Sequence, residues 1–214
     1  MLKYKSVLSL LLSLVILLSI SACNEFNAPP KKLSVKVETE KNIKEMEQVL
    51  MKRFKAYPAS TLASISSVIN DKTITYTFKR GIPEKDLLRY LVETKGKLIA
   101  YIGENEAEPL FSNKDIHNAV ASIAEANGDY VINISLTENA VTIMKAKTTK
   151  NIGKITTMKL DGEIITKARI MTALGKHFQI NIEKPPRELA RIAALLRSGA
   201  LPEKAQLISI LDAE

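Results

Sequence analysis

Apolar and polar positions along this chain change period several times, and each change marks an element. "LSVKVETE", residues 33–40, alternates and predicts a strand. Residues 42–57 repeat at helical spacing, with Ile43, Met46, Leu50, Phe54 and Tyr57 on one stripe and Pro58 as the stop. "SISSVIN" and "KTITYTFKR" flank a short "ND" turn. The second run places Ile74, Tyr76 and Phe78 on one face and threonines on the other. Gly81 and Pro83 precede a second helix, buried through Leu87, Leu88, Leu91 and Val92. "GKLIAYIGEN", residues 96–105, reads as the strand that follows.

The polar run "ENEAEP", residues 104–109, reads as a crossing into a second unit. There, "DIHNAVASIAE" and "DYVINISLT" predict strands. Thr137 stands at the N-cap of a helix over 138–150, with Ala140, Val141 and Met144 inward. "ITTMKLDGEIITKARI" predicts a hairpin, because Asp161-Gly162 suits a type I′ turn. "HFQINI" alternates again. A last helix begins near Pro186 and buries Leu189, Ile192, Ala193 and Leu196. Arg191 and Arg197 complement its dipole, Gly199 suits a left-handed Schellman-type cap, and Pro202 prevents continuation. "AQLISIL" closes the chain as a strand. The order strand, helix, strand, strand, helix, strand over residues 33–105 is the split βαβ order of ferredoxin-like folds, and the whole is α+β.

The first 22 residues stand apart. Lys3 and Lys5 precede an apolar run over 7–20, too short to span a bilayer and right for a signal-peptide core. Ile20, Ser21 and Ala22 then lead to Cys23, the single cysteine of the chain. This pattern resembles a bacterial lipoprotein signal. The resemblance implies signal-peptidase recognition of Ile20–Ala22, diacylglycerol on the Cys23 sulfur, and acylation of the new amino terminus. Residues 24–32, "NEFNAPPKK", form a tether reaching at most ~30 Å. In enterobacteria-like systems Asn24 resembles an outer-membrane address. The expected location is the periplasm-facing cell envelope, with the outer and the inner membrane both left open by the sequence.

The formal charge is +8 over 214 residues. Lysine and arginine gather in "KAKTTKNIGK" (145–154) and around Lys52, Arg53 and Lys55, on solvated helix faces open to anionic lipid or polypeptide. An exported chain would rarely meet nucleic acid, and none is expected as a partner. Nothing in the sequence assembles a reaction centre. His117 and His177 lie far apart on strands, no motif for a metal, phosphate loop or activated nucleophile occurs, and the acids are scattered. The expectation is a protein without enzymatic activity, catalytic residues, metal, cofactor or small-molecule substrate.

Three motifs carry a resemblance to a family. "NIGK" (Asn151–Lys154, with Gly153), "LDG" (Leu160–Gly162, with Asp161 and Gly162) and "LLRSGALP" (Leu195–Pro202, with Arg197, Gly199 and Pro202) stand as in the first periplasmic domain of SecD, a subunit of the bacterial protein-export machinery. The resemblance implies a ferredoxin-like base lobe over 33–105 and 203–214, with the last strand returning to it. It also implies a head lobe over 106–202, joined by hinges near 106–111 and 201–203. Members of the family continue into proton-conducting membrane helices where this sequence ends, so proton-driven pulling is not carried over. The expected partners are the bilayer, through acylated Cys23, and exported polypeptide or Sec components. The alternative is a structural or regulatory envelope lipoprotein that kept the fold without an export role.

Overall fold

The computed structural model describes residues 30–56, 64–79, 82–103, 108–124 and 128–213. Within them lie three antiparallel sheets and four α-helices, a mixed α/β architecture. The signal segment, Cys23 and Tyr57 fall outside the described residues.

The first sheet contains β1 (Lys31–Val37), β2 (Ile65–Asn70), β3 (Thr73–Phe78) and β11 (Ala205–Asp212), in the order β11-β1-β3-β2. Leu33, Val35 and Val37 of β1 and Ile74, Tyr76 and Phe78 of β3 are buried on one face, as the alternation requires. Helices α1 (Ile43–Ala56) and α2 (Lys85–Glu93) bury their apolar stripes in the same core. Phe54 meets Tyr76 and Phe78 edge-on, at 5.0 and 5.5 Å between ring centroids. Burying such a ring stabilises the fold by about 1.5–3 kcal/mol, and T-shaped pairing adds to that.

The second sheet has the order β10-β7-β6, from β6 (Ile116–Ile123), β7 (Tyr130–Leu136) and β10 (His177–Asn181). The third has the order β5-β4-β8-β9, from β4 (Leu98–Ile102), β5 (Glu108–Ser112), β8 (Ile155–Leu160) and β9 (Glu163–Arg169). Helix α3 (Glu138–Lys150) lies beside β5. Helix α4 (Pro186–Ser198) packs on β6 and β7 and also on α1, so one helix serves two sheets.

Two strands are placed differently from the sequence reading. The strand within 96–105 does not complete the first sheet. β4 pairs with β5 and β8, and the place beside β1 is taken by β11, the last strand of the chain. Alternation specifies which face of a strand is buried; it carries no information about the neighbour. β5 begins at the end of the polar crossing "ENEAEP" and runs on through Leu110–Ser112; it is short, and its Pro109 suits only an edge.

The turns follow their chemistry. Asp161 and Gly162 have φ of 52° and 91°, and the hairpin closes at Leu160↔Glu163. Pro186 is the first residue of α4. Gly199, however, is not a Schellman cap. Its φ of 94° and ψ of 168° place it in a region essentially restricted to glycine, outside the left-handed helical well. Thr137 occupies the N-cap of α3 but makes no side-chain cap bond; its N–H donates to the Asp115 carbonyl.

Candidate functional site

The segment Thr94–Lys97 carries the chain from α2, which covers the first sheet, to β4 in the third. Contacts from distant parts of the sequence converge on it. Arg53, on the same stripe of α1 as Met46 and Val49, is fully buried. One of its terminal nitrogens donates to the carbonyls of Leu91 at 2.7 Å and Thr94 at 2.5 Å. The other donates to those of Lys95 at 2.7 Å and Gly199 at 3.1 Å. Burial lowers the Arg53 pKa to about 10, against the opposing influence of Asp161 and Tyr90, so the guanidinium stays charged at neutral pH. The sequence reading placed Arg53 in an exposed basic patch; it is instead the cationic centre of this junction, because its helical phase points inward.

Asp161 closes the segment from the opposite side. Its carboxylate accepts the N–H of Gly96 at 2.9 Å and of Lys97 at 2.7 Å, and its own N–H donates to the Lys97 carbonyl. The Asn113 side chain bridges the carbonyl of Gly96 and the N–H of Leu98, and Leu201 donates its N–H to the Lys95 carbonyl. Gly96 has a φ of +74°, and a Cβ there would lie 2.7 Å from a terminal nitrogen of Arg53. Only glycine fits.

The structure therefore brings Asp161 and Gly199 of the motif residues to one place. Arg197 donates to the Ala56 carbonyl at the end of α1, beside this region, and Gly162 and Pro202 flank the contacting residues. Asn151 and Gly153 are elsewhere. They end α3: the Asn151 side chain donates to the Lys147 carbonyl, and the Gly153 N–H donates to the Ile170 carbonyl. Arg53, Gly96 and Asn113 are the junction residues that the sequence reading missed. The one signal was a lone glycine in "KGK". The hinge expected near 106–111 does not separate two sheets, since β4 and β5 are neighbours in the same sheet.

Two depressions open on the surface. The second sheet contains no Asp, Glu, Lys or Arg in any of its three strands, although a quarter of all residues are charged. Its outer face forms an open depression of about 530 Å³ lined by Asn118, Val120, Asn133, Ser135, His177 and Gln179. The other is a groove of about 330 Å³ between β5 and α3, lined by Ile99, Leu110, Phe111 and Ile143. Beside it, Lys147 holds the Pro109 carbonyl at 2.5 Å. His117 and His177 are exposed on different strands, and among the described residues no three His, Cys, Asp or Glu side chains are grouped to hold a metal. No described helix is long and apolar enough to cross a membrane.

This architecture is the periplasmic SecDF fold. A crystal structure of SecDF in a super-membrane-facing form superposes with a TM-score of 0.68 over 85% of this chain and 30% of that one, at 19% identity. A second structure, of a SecDF membrane component that enhances protein export, gives 0.65 over 83% of this chain and 98% of that one, at 20% identity. Residues 91–203, more than half of the chain, match the SecDF P1 head subdomain, and the chain belongs to that family. The protein translocase subunit SecD of Acidaminococcus fermentans is 30% identical over 104 residues. That match takes in 48% of this chain and only a quarter of the length of the relative.

Proposed function

We propose that the protein is a lipid-anchored, periplasm-facing envelope module that holds extended polypeptide in or near protein export. The first sheet with α1 and α2 is its ferredoxin-like base. The second and third sheets with α3 and α4 are its head, so that β4 belongs to the head. The anchor is acylated Cys23. The observation that carries the reading is the uncharged second sheet. β6 and β10 pair with no further strand among the described residues. An edge without charge accepts an incoming strand through main-chain hydrogen bonds, which tolerate almost any sequence. The amides and hydroxyls on its outer face add contacts that favour neither sign of charge.

A photo-crosslinking residue at Val120 on β6, in the native host, is expected to capture exported chains during their translocation. The same residue at Arg89, exposed on α2, is expected to capture none. Equal labelling from both positions, or from neither, would sink the proposal. In the same strain, Cys23→Ala should abolish incorporation of labelled palmitate and release the protein from membranes. A second reading, a structural module without an export role, draws on the cross-pinned junction, which favours a rigid body. Recovery of one stoichiometric folded partner and no nascent chains would favour it.

A further inference from the structure

Among the described residues β2, "ISSVIN", pairs only with β3 and is an edge of the first sheet, and its chemistry differs from that of the other outer strand, β11. Strand β11 ends in Asp212 and has one N–H, that of Leu207, held by the Glu93 carboxylate. Strand β2 has no charged residue, no proline and no bulge in its pairing with β3. Val68 is 68% exposed and Ile69 39%. Exposed edges usually carry a lysine, a proline or a bulge that discourages pairing. This one carries none.

The phase of its hydrogen bonds is fixed. β2 and β3 pair from Ile65↔Phe78 to Asn70↔Thr73, and beyond them the Lys79 N–H donates to the Ser64 carbonyl. In an antiparallel ladder, bonded pairs alternate with unbonded ones. The even-numbered residues of β2 therefore exchange bonds with β3, and Ile65, Ser67 and Ile69 turn their N–H and C=O groups outward. These three positions are symmetric about Ser67. A two-fold axis through Ser67, normal to the sheet, sets Ile65 of one copy opposite Ile69 of the other, on the helix-covered face. Every outward donor and acceptor then meets its partner, and Val68 falls opposite Ser66 on the open face.

We propose that β2 pairs with β2 of a second copy of this chain, joining two first sheets into one continuous sheet with Ser67 on the two-fold. The occupant is a second copy because the strand is complementary to itself in hydrogen-bond phase and in apolar pairing; each Ser67 hydroxyl donates to Glu47 at 2.7 Å, so the pairing also brings one carboxylate from each copy near the axis. A six-residue edge buries less than the roughly 1,200 Å² of a standard stable interface, so the association is a weak one. Confinement of both copies to one membrane surface would raise their effective concentration.

The test is sedimentation velocity of the full chain in detergent across the micromolar range, with Ile69→Lys and Ser67→Pro as variants. Ile69→Lys places a cation opposite Ile65 of the other copy. Ser67→Pro removes an outward N–H, which an edge strand does not use within its own sheet. The wild type is expected to move from monomer to dimer with concentration. Both variants are expected to stay monomeric with unchanged far-ultraviolet circular dichroism. Val120→Lys, on the other sheet, is expected to dimerise as the wild type does, which separates this inference from the polypeptide-binding one. A wild type that stays monomeric throughout, a dimer that survives both β2 variants, or a monomer that instead binds an extended peptide along β2 would overturn the proposal.

Discussion

Replacing Gly96 by alanine tests the junction at its tightest point. Two costs follow from the geometry. The backbone at +74° is a conformation in which an L side chain is strained by about 1–2 kcal/mol. The new methyl would also lie 2.7 Å from the Arg53 guanidinium, which must move. That group is held by four carbonyls, and a hydrogen bond to a charged group contributes about 1.5–3 kcal/mol. Losing one of them brings the expected destabilisation to about 2.5–5 kcal/mol, from the sum of these two contributions. For a chain of this size that lowers Tm by roughly 5–20 °C. Urea unfolding of wild type, Gly96→Ala, Arg53→Met and the double variant separates the contributions. With the guanidinium gone, Gly96→Ala should cost only the backbone strain, leaving a coupling of about 1.5–3 kcal/mol. A single-variant cost below about 1 kcal/mol, or one unchanged in the Arg53→Met background, would refute the reasoning.

Asp161→Ala removes the acceptor for two N–H groups and should destabilise by about 2–3 kcal/mol, whereas Asp161→Asn keeps one oxygen and tolerates positive φ, so its urea midpoint should fall between wild type and alanine. Glu203 gives a pH dependence: burial pushes its pKa up, but hydrogen bonds from Thr39 and Asn42 outweigh that and hold it below the usual carboxylate range. On acidification the unfolded chain takes up the proton first, so this stabilisation is present at neutral pH and lost as the pH falls through the carboxylate range. Unfolding midpoints should decline over that range in the wild type, and less steeply in Glu203→Gln.

Elements with a strong period were legible in the sequence. The alternation of "TITYTF", the Asp161-Gly162 turn and the apolar face of α4 each express a local rule, and local rules can be read from neighbours along the chain. The return of the last strand to the first sheet came from the family resemblance, not from any period. What escaped was everything decided by partners far away. β4 looks the same to a periodicity count whichever sheet it joins. Arg53 looked like one more helix-surface cation, because a buried arginine is tolerable only when carbonyls from α2, the Lys95 loop and Gly199 surround it, and no local pattern announces them. The uncharged second sheet was visible as composition, but its strands are scattered over 116–181, and only the fold shows that they form one surface.

The first and last described strands lie side by side, Lys31 opposite Asp212, with the Ala213 N–H on the Pro30 carbonyl. During synthesis, β1 must wait for nearly the whole chain before its outer neighbour exists. Contacts of such sequence separation form late. The second and third sheets draw all their strands from residues 98–181 and can assemble while β1 still has an open side. A chain that stopped before Ala205 would thus have its second and third sheets complete while β1 still lacked its outer neighbour, with one side of its earliest strand left open.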